Sequence, residues 1–114
     1  MIKELAKGTA EPLVLQILAG SSLHGYGILQ AIKERSEGVL EFTEGTVYPL
    51  LHALEQEGLL SSVWEALPSG RRRKVYCITP AGQRRLAESR EQWRRFRLAI
   101  DNIFGLREGV EAGG

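Results

Sequence analysis

The sequence predicts a mainly α-helical fold with one small β-hairpin. Four stretches carry apolar residues at three- and four-residue spacing, which is typical of helices with one buried face. Two strand-like runs, residues 59–66 and 71–79, flank the turn sequence Leu67-Pro68-Ser69-Gly70. With 114 residues the chain supports one compact domain, and its small core is only modestly stable unless dimerisation buries more surface.

The formal net charge of +1 hides an uneven distribution of charge along the chain. Residues 1–70 contain four Lys or Arg and nine Glu, a balance of −5, whereas residues 71–97 contain ten Lys or Arg and two Glu, a balance of +8. Such segregation indicates a localised surface for a polyanion. Cys77 is the only cysteine, so no internal disulfide can form, and no signal peptide or long apolar run is present. We therefore expect a chain that works in the reducing cytoplasm and does not enter a membrane.

The first helix is predicted to begin after Thr9, a good N-cap, and to end at Gly20. Residues 1–8 are expected to form a mobile or loosely helical lead-in. The apolar face of this helix consists of Leu13, Val14, Ile17 and Leu18. We expect this face to be core, with partial packing on a second subunit as the alternative, and the sequence does not separate the two.

A second helix is predicted to follow a turn over residues 21–27 and to run to about Arg35. Its buried side consists of Ile28, Leu29 and Ile32. Residues 36–42 are then expected to add a short edge strand.

His24, Gly25 and Tyr26 open this second helix, where free backbone N–H groups can hold a phosphate. The alternative is that His24 only caps the helix and Tyr26 packs against the protein. The two interpretations carry similar weight.

The third helix is predicted over residues 43–60, and the rest of the chain is arranged around it. Thr43 suits the N-cap, and Gly58 is placed to end the helix. Pro49 lies deep enough to remove a hydrogen bond and is expected to bend or loosen the first turns. The buried face consists of Val47, Leu50, Leu51 and Leu54.

A two-stranded hairpin with a basic tip follows this helix directly. That order is the layout of a winged helix-turn-helix, in which the helix can enter a DNA groove while the hairpin, or wing, touches phosphate nearby. Four consecutive cations start the returning strand: Arg71, Arg72, Arg73 and Lys74. Because a strand alternates its faces, the first and third should point opposite to the second and fourth, so not all four can touch phosphate. A solvated basic edge that prevents strand pairing is the alternative.

The third helix also carries groups that suit contact with DNA. Thr46, Tyr48 and His52 can bond base edges or phosphate, and Gly45 lets the backbone approach closely. Since none is a long bidentate reader, we expect much of the specificity to come from DNA shape, backbone contacts and half-site spacing. The alternatives are packing against the neighbouring helix for Tyr48 and an ordinary solvated position for His52. The full predicted set on this helix is Thr43, Gly45, Thr46, Tyr48, Pro49 and His52.

Three segments resemble, in order and spacing, the successive motifs of the PadR family of bacterial transcriptional regulators. They are HGYGILQAI (24–32), EGTVYPLLHALEQEGLL (44–60) and GRRRKVYCITPAG (70–82). The resemblance spans most of residues 9–104, and three motifs in the right order are more specific than any one alone. It implies a dimeric winged-helix repressor, with effector sensing in some members.

The last helix is predicted to begin with Thr79 as N-cap and Pro80 at the first helical position. It should run to about Gly105, about 37 Å at about 1.5 Å per residue. Its apolar residues are seven, three, four and three positions apart, the a/d repeat of paired helices: Leu86, Trp93, Phe96, Ile100 and Ile103. Because no later element follows to cover this stripe, we predict that a second copy of the chain covers it. The predicted organisation is a winged helix-turn-helix domain (1–79), a dimerisation helix (80–105) and a flexible tail (106–114).

Trp93 and Phe96 suggest a second role for the last helix. The family resemblance implies that a tryptophan here can line a cavity between subunits and stack flat aromatic or cationic compounds. Aromatic residues at helical spacing are usually packing, so plain dimer core is the preferred interpretation. Six nearby arginines also disfavour a cationic ligand, and we expect weak or absent binding of cationic dyes unless acidic residues reach the site.

No catalytic constellation is present in the sequence. His24, His52 and Cys77 lack metal-ligand spacing, no Gly-rich phosphate loop occurs, and we expect neither enzyme activity nor a cofactor. Two alternatives to a DNA-binding repressor stay open: a winged-helix protein-interaction module without DNA affinity, and a membrane or partner interaction through the basic segment 83–104.

Overall fold

The computed structural model describes residues 8–106, which form four helices and a three-stranded antiparallel sheet. The predicted lead-in over residues 1–8 and the predicted tail over residues 106–114 lie outside the described residues except for Gly8 and Leu106. The elements in chain order are α1 (Ala10–Gly20), β1 (Leu23–His24), α2 (Gly25–Arg35), α3 (Glu44–Gln56), β2 (Leu60–Ala66), β3 (Arg72–Ile78) and α4 (Pro80–Phe104). The mainly helical fold with one hairpin is confirmed.

The core lies where α1, α2 and α3 meet the inner face of the sheet. Each helix contributes residues at the predicted spacing, and the fully buried ones include Val14, Ile28, Val47, Leu51 and Leu54. The sheet adds Leu60 and Tyr76, and the first turns of α4 add Leu86. The apolar face predicted for α1 is therefore mostly core, since Val14, Ile17 and Leu18 are all buried within the single chain.

The helix α3 runs without a break through Pro49. Proline has no N–H to donate to the carbonyl of Gly45, yet the helix remains continuous from Glu44 to Gln56. Thr43 stands at the N-cap with an extended backbone, and Gly58 follows the helix in the left-handed region at φ 78°. The predicted start of the helix and its predicted termination at Gly58 are both confirmed.

The predicted edge strand over residues 36–42 is wrong. The Ser36 hydroxyl accepts a hydrogen bond from the Leu40 backbone N–H at 2.9 Å, and Glu37 and Gly38 adopt positive φ, which together produce a loop. The third strand is instead β1, inside the segment predicted as a turn. It pairs with β3 through Leu23↔Tyr76 and His24↔Val75, and the sheet order is β1-β3-β2.

Thr79 joins the end of α3 to the start of α4. Its hydroxyl accepts a hydrogen bond from the Gly82 N–H at 3.0 Å and donates one to the Gly58 carbonyl at 2.7 Å. Its backbone N–H also donates to the Leu59 carbonyl at 3.1 Å. A Cβ on Gly82 would overlap the Leu59 carbonyl oxygen and would lie 2.7 Å from Cγ1 of Ile78, so only glycine permits this approach.

The last helix is the longest and the least covered element. It ends, as predicted, at Gly105, which has φ 72°. Its first turns pack on α1 and the sheet, and Arg85 forms ion pairs with Glu11 of α1 at 2.8 Å and with Glu57 at 3.8 Å. Beyond this anchor the apolar stripe is open to solvent.

Candidate nucleic-acid interface

The exposed face of α3 lies opposite its buried leucines. Gly45, Pro49, His52 and Gln56 follow one another at spacings of four, three and four residues, and all four are exposed. Nε2 of Gln56 lies 3.3 Å from Nε2 of His52, which joins the last two side chains of the row. The first half of this face, at Gly45 and Pro49, therefore has no protruding polar side chain, whereas His52 and Gln56 in its second half can form hydrogen bonds.

Thr43 and Thr46 border this face at the start of the helix. Both are exposed, and their hydroxyl oxygens lie 3.3 Å apart. The Thr43 carbonyl accepts hydrogen bonds from the N–H groups of Thr46 and Val47. The two hydroxyls are available at the positive end of the helix, where phosphate is favoured.

Tyr48 lies on the flank of α3 that faces the start of α2. A Cβ on Gly25 would lie 2.5 Å from Cε1 and 2.8 Å from the hydroxyl oxygen of Tyr48, so the ring packs directly on this glycine. Burial of the hydroxyl, together with the nearby Glu44 carboxylate, raises the pKa of Tyr48. Tyr48 is still 42% exposed, so one side of its ring packs against the protein and the other side is open to solvent.

His24 and Tyr26 at the start of α2 each lie within hydrogen-bond distance of another side chain. Nε2 of His24 lies 3.5 Å from Nη1 of Arg73, and the His24 side chain forms no cap hydrogen bond with α2. Tyr26 is 53% exposed, and its hydroxyl accepts a hydrogen bond from Nε2 of Gln30 at 3.2 Å. Gly25 between them is buried beneath Tyr48.

A carboxylate in the last turn of α3 binds both strands of the wing. Oε1 of Glu55 accepts a hydrogen bond from Nζ of Lys74 at 2.8 Å, and Oε2 accepts one from the Ser62 hydroxyl. The bond from Lys74, followed by that from Ser62, lowers the pKa of the Glu55 carboxyl, and the same bond raises the pKa of Lys74. Glu55 thereby fixes the wing beside the exposed face of α3.

The three wing cations within β3, Arg72, Arg73 and Lys74, alternate between its faces and differ in their partners, whereas Arg71 lies just before the strand. Arg73 donates two hydrogen bonds to Oε1 of Glu65, at 3.1 and 2.8 Å, on the face opposite to Lys74. The Arg72 guanidinium lies over the ring of Trp64, with 5.3 Å from its carbon to the ring centroid. Within residues 8–106 no carboxylate lies at ion-pair distance from Arg71 or Arg72, so the uncompensated charge of the wing is at these two positions.

The apolar stripe on α4 is buried only at its start. Leu86 is 6% exposed, whereas Trp93, Phe96 and Ile103 are 52%, 54% and 81% exposed, and Ile100 is half-buried. The rings of Trp93 and Phe96 lie 5.5 Å apart and tilted by 35°. Most of the predicted pairing surface is therefore uncovered in a single chain.

A groove of about 1260 Å³ runs between this stripe and the start of α1. Trp93 and Phe96 line it together with three acidic residues, Glu11, Glu88 and Asp101, and two basic residues, Arg85 and Arg97. Both arginines are paired with acidic residues of the same wall, Arg85 with Glu11 and Arg97 with Asp101 at 3.7 Å. Acidic side chains therefore line the same groove as the tryptophan, and the wall carries a formal charge of −1, from three carboxylates against two guanidinium groups.

Sequence reasoning missed Gln56, Glu55 and Trp64. Gln56 continues the 45, 49, 52 spacing by four residues, so the helical pattern was sufficient to include it. Glu55 lies two residues from Glu57, and the two face different ways: Glu55 contacts the wing and Glu57 contacts Arg85. The packing of Trp64 under Arg72 depends on strand register, which the sequence leaves open.

Between residues 8 and 106 no three His, Cys, Asp or Glu side chains are grouped so that they could hold a metal ion. No described helix has both the length and the apolar composition needed to cross a membrane.

Comparison with known proteins finds similarity to bacterial transcriptional regulators. Residues 14–88 match the model of the transcriptional regulator PadR-like family. The chain is 35% identical, over 89 residues, to transcriptional regulator Rv3488 of Mycobacterium tuberculosis, covering 78% of this chain and 79% of that protein. The crystal structure of a PadR family transcriptional regulator from Eggerthella lenta is 31% identical with a TM-score of 0.80, covering 94% of this chain and 91% of that one. A PadR-like regulator from Bacillus cereus is 26% identical with a TM-score of 0.75, covering 94% and 99%.

Proposed function

Because this chain belongs to the PadR-like family of transcriptional regulators, we propose that it is a cytoplasmic, homodimeric repressor that binds double-stranded DNA at an inverted repeat. Repression, dimerisation and the inverted repeat are supported by the resemblance and by the two surfaces described above. A two-fold dimer presents two copies of α3, which suits half-sites about one helical turn, or about 34 Å, apart.

The bridge from Glu55 to Lys74 and Ser62 is the observation that carries the DNA-binding proposal. It holds the wing against the last turn of α3, so the exposed helix face and the basic wing belong to one surface. The helix supplies hydrogen-bonding groups for base edges, and the wing supplies positive charge for the backbone. The proposed contacts on α3 are Thr43, Gly45, Thr46, Pro49, His52 and Gln56, with the open side of Tyr48.

The open stripe on α4 supports the dimer. Exposed clusters of large apolar side chains in soluble proteins usually mark an interface, and Trp93, Phe96 and Ile103 form such a cluster at a/d spacing. A second copy packed on α4 would also close the groove beside α1. The winged helix-turn-helix and the last helix are then the DNA-binding and dimerisation parts of one repressor.

We further propose that a small, flat aromatic effector enters this groove and weakens DNA binding. Trp93 and Phe96 offer aromatic faces, and the wall has a formal charge of −1 because its three carboxylates outnumber its two arginines, both of which are paired. A neutral or singly cationic compound suits this wall better than an anion. Titration of a Trp64→Phe variant with an aromatic panel tests this, since Trp93 is then the only tryptophan; fluorescence quenching that also releases bound DNA is expected.

A mobility-shift series at several salt concentrations tests DNA binding itself. The probe is a duplex selected from randomised DNA by the purified protein. If each copy of Arg71 neutralises one phosphate, Arg71→Ala should reduce the log–log salt slope by about 1.8 for a dimer. The matched control Arg90→Ala removes an exposed arginine from α4 and should leave the slope unchanged. Failure of the wild-type chain to enrich any duplex would contradict the proposed function and favour a protein-interaction module.

A further inference from the structure

Trp64 is a large aromatic side chain left open to solvent on the wing. It is 59% exposed although tryptophan is highly buried on average in proteins, and the Arg72 guanidinium lies 5.3 Å from its ring centroid. An indole face covered by a guanidinium is a cation–π pair that holds both groups flat. The pair serves no purpose in the core, since neither residue is buried.

Strand register places this pair on the same face of the wing as the contact with α3. Trp64 lies opposite Lys74 and Ala66 lies opposite Arg72, so Trp64, Arg72 and Lys74 share one face, while Glu65 and Arg73 share the other. Lys74 is bonded to Glu55 of α3. The pair therefore extends the exposed surface of α3 outward, toward the turn at residues 67–70.

The ion pairs on this part of the wing distinguish Arg72 from the two cations that follow it. Arg73 is neutralised by Glu65 and Lys74 by Glu55, both at 2.8 Å. Arg72 keeps its charge and is held flat by the ring of Trp64. A flat, weakly hydrated guanidinium fits a narrow groove better than the compact, strongly hydrated ammonium of lysine.

Resting on the proposed function, we propose that Arg72 enters the DNA minor groove beside each half-site and gives a preference for A·T pairs there, and that Trp64 is the residue that positions it. Narrow minor grooves at A·T runs have enhanced negative potential, which attracts arginine. The sequence preference would thus extend to positions that α3 does not reach. Trp64 acts through Arg72, and its ring lies against the groove wall without reading a base.

This proposal is tested by selecting bound duplexes from randomised DNA with the wild-type chain, with three variants of the pair and with one control variant. The wild-type chain should enrich an inverted repeat with A·T pairs flanking each half-site. Trp64→Ala should select the same half-sites without the flanking A·T pairs and should bind about tenfold more weakly, since each of two wings loses an exposed cation–π pair. Trp64→Phe should largely restore the flanking preference because a flat ring remains. Arg72→Lys should lose the preference while keeping the wild-type salt slope.

Val63→Ala is the matched control, because Val63 is 60% exposed on the opposite face of the same strand. It should select the same half-sites and flanks as the wild-type chain. If Trp64→Ala and Arg72→Lys both keep the flanking A·T pairs, the inference is overturned while DNA binding stands. If the wild-type chain enriches no duplex, the proposed function fails, and this inference fails with it.

Discussion

Replacing Phe96 by alanine tests whether the open stripe on α4 joins two copies of the chain. Phe96 is 54% exposed and contacts Trp93 at the middle of the stripe. Alanine is a better helix former than phenylalanine, so the substitution removes the aromatic surface without weakening α4 itself. A loss of dimerisation could then be assigned to the missing surface.

The expected loss of dimerisation free energy follows from the exposed area of the Phe96 side chain. A fully buried aromatic residue removes about 150–250 Å² from water, so covering the exposed half of Phe96 removes about 100 Å². At about 25 cal/mol per Å², and with the Cβ retained in alanine, each copy loses about 2 kcal/mol. A two-fold dimer loses this contribution twice, about 4 kcal/mol, which raises the dimer Kd roughly a thousandfold.

Sedimentation equilibrium over a range of protein concentrations measures this change directly. Leu98→Ala is the control, because Leu98 is 41% exposed on the opposite side of α4. The dimer Kd should rise for Phe96→Ala and stay within a factor of about three for Leu98→Ala, as expected for a surface substitution. Equal effects of the two substitutions, or a wild-type chain that is monomeric at micromolar concentration, would refute the reasoning.

Three further predictions concern stability and pH, and thermal or urea unfolding checks each of them. Gly82→Ala should lower the free energy of unfolding by about 1–3 kcal/mol through overpacking. The control Gly20→Ala has open space around its Cβ and should change the free energy of unfolding by less than about 0.5 kcal/mol. Similar values for the two variants would count against the close packing of Gly82 on the Leu59 carbonyl. Gly25→Ala should also destabilise, by about 1–2 kcal/mol, and the loss should shrink in a Tyr48→Ala background, so additive effects would contradict ring-on-glycine packing. The pKa of Glu55 is lowered in the folded chain, so the stabilisation that its carboxylate provides is fully present above the ordinary carboxyl pKa of 4.5 and is lost as the pH falls through the lower folded value. Glu55→Gln should therefore make the free energy of unfolding depend less on pH in the acid range. An unchanged pH profile would argue against the bridge to the wing.

Periodicity was sufficient to predict the four helices and the hairpin. Val47, Leu51 and Leu54 are buried because only one side of a helix carries leucine and valine, and that pattern is visible in the sequence. The strand β1 could not be predicted in this way, since two residues show no period. It forms because Leu23 meets Tyr76, more than fifty positions later, and such pairing depends on the completed fold. The run Val39-Leu40-Glu41-Phe42 looks like a strand but is held as a loop by the Ser36 hydroxyl.

The candidate interface was predicted less completely than the fold. The exposed row on α3 follows from helical spacing, and Gln56 belonged to it by the same rule. The ion-pair partners of the wing cations could not be predicted from the sequence, because they depend on which carboxylates the fold brings near. Glu55 of α3 pairs with Lys74, and Glu65 of the neighbouring strand pairs with Arg73. The sequence distinguishes the four consecutive cations only by the strand face on which each lies, and within residues 8–106 two of them, Arg71 and Arg72, have no carboxylate at ion-pair distance.

The double hydrogen bond of the Thr79 hydroxyl has a mechanical consequence. It joins the Gly58 carbonyl, just beyond the end of α3, to the Gly82 N–H in the first turn of α4, and Gly82 packs closely against the same stretch of backbone. Because the two helices are held together at this point, we expect a change in the tilt of α4 to move α3 with it. In the proposed dimer, a change in the crossing angle of the two α4 helices would therefore change the distance between the two copies of α3.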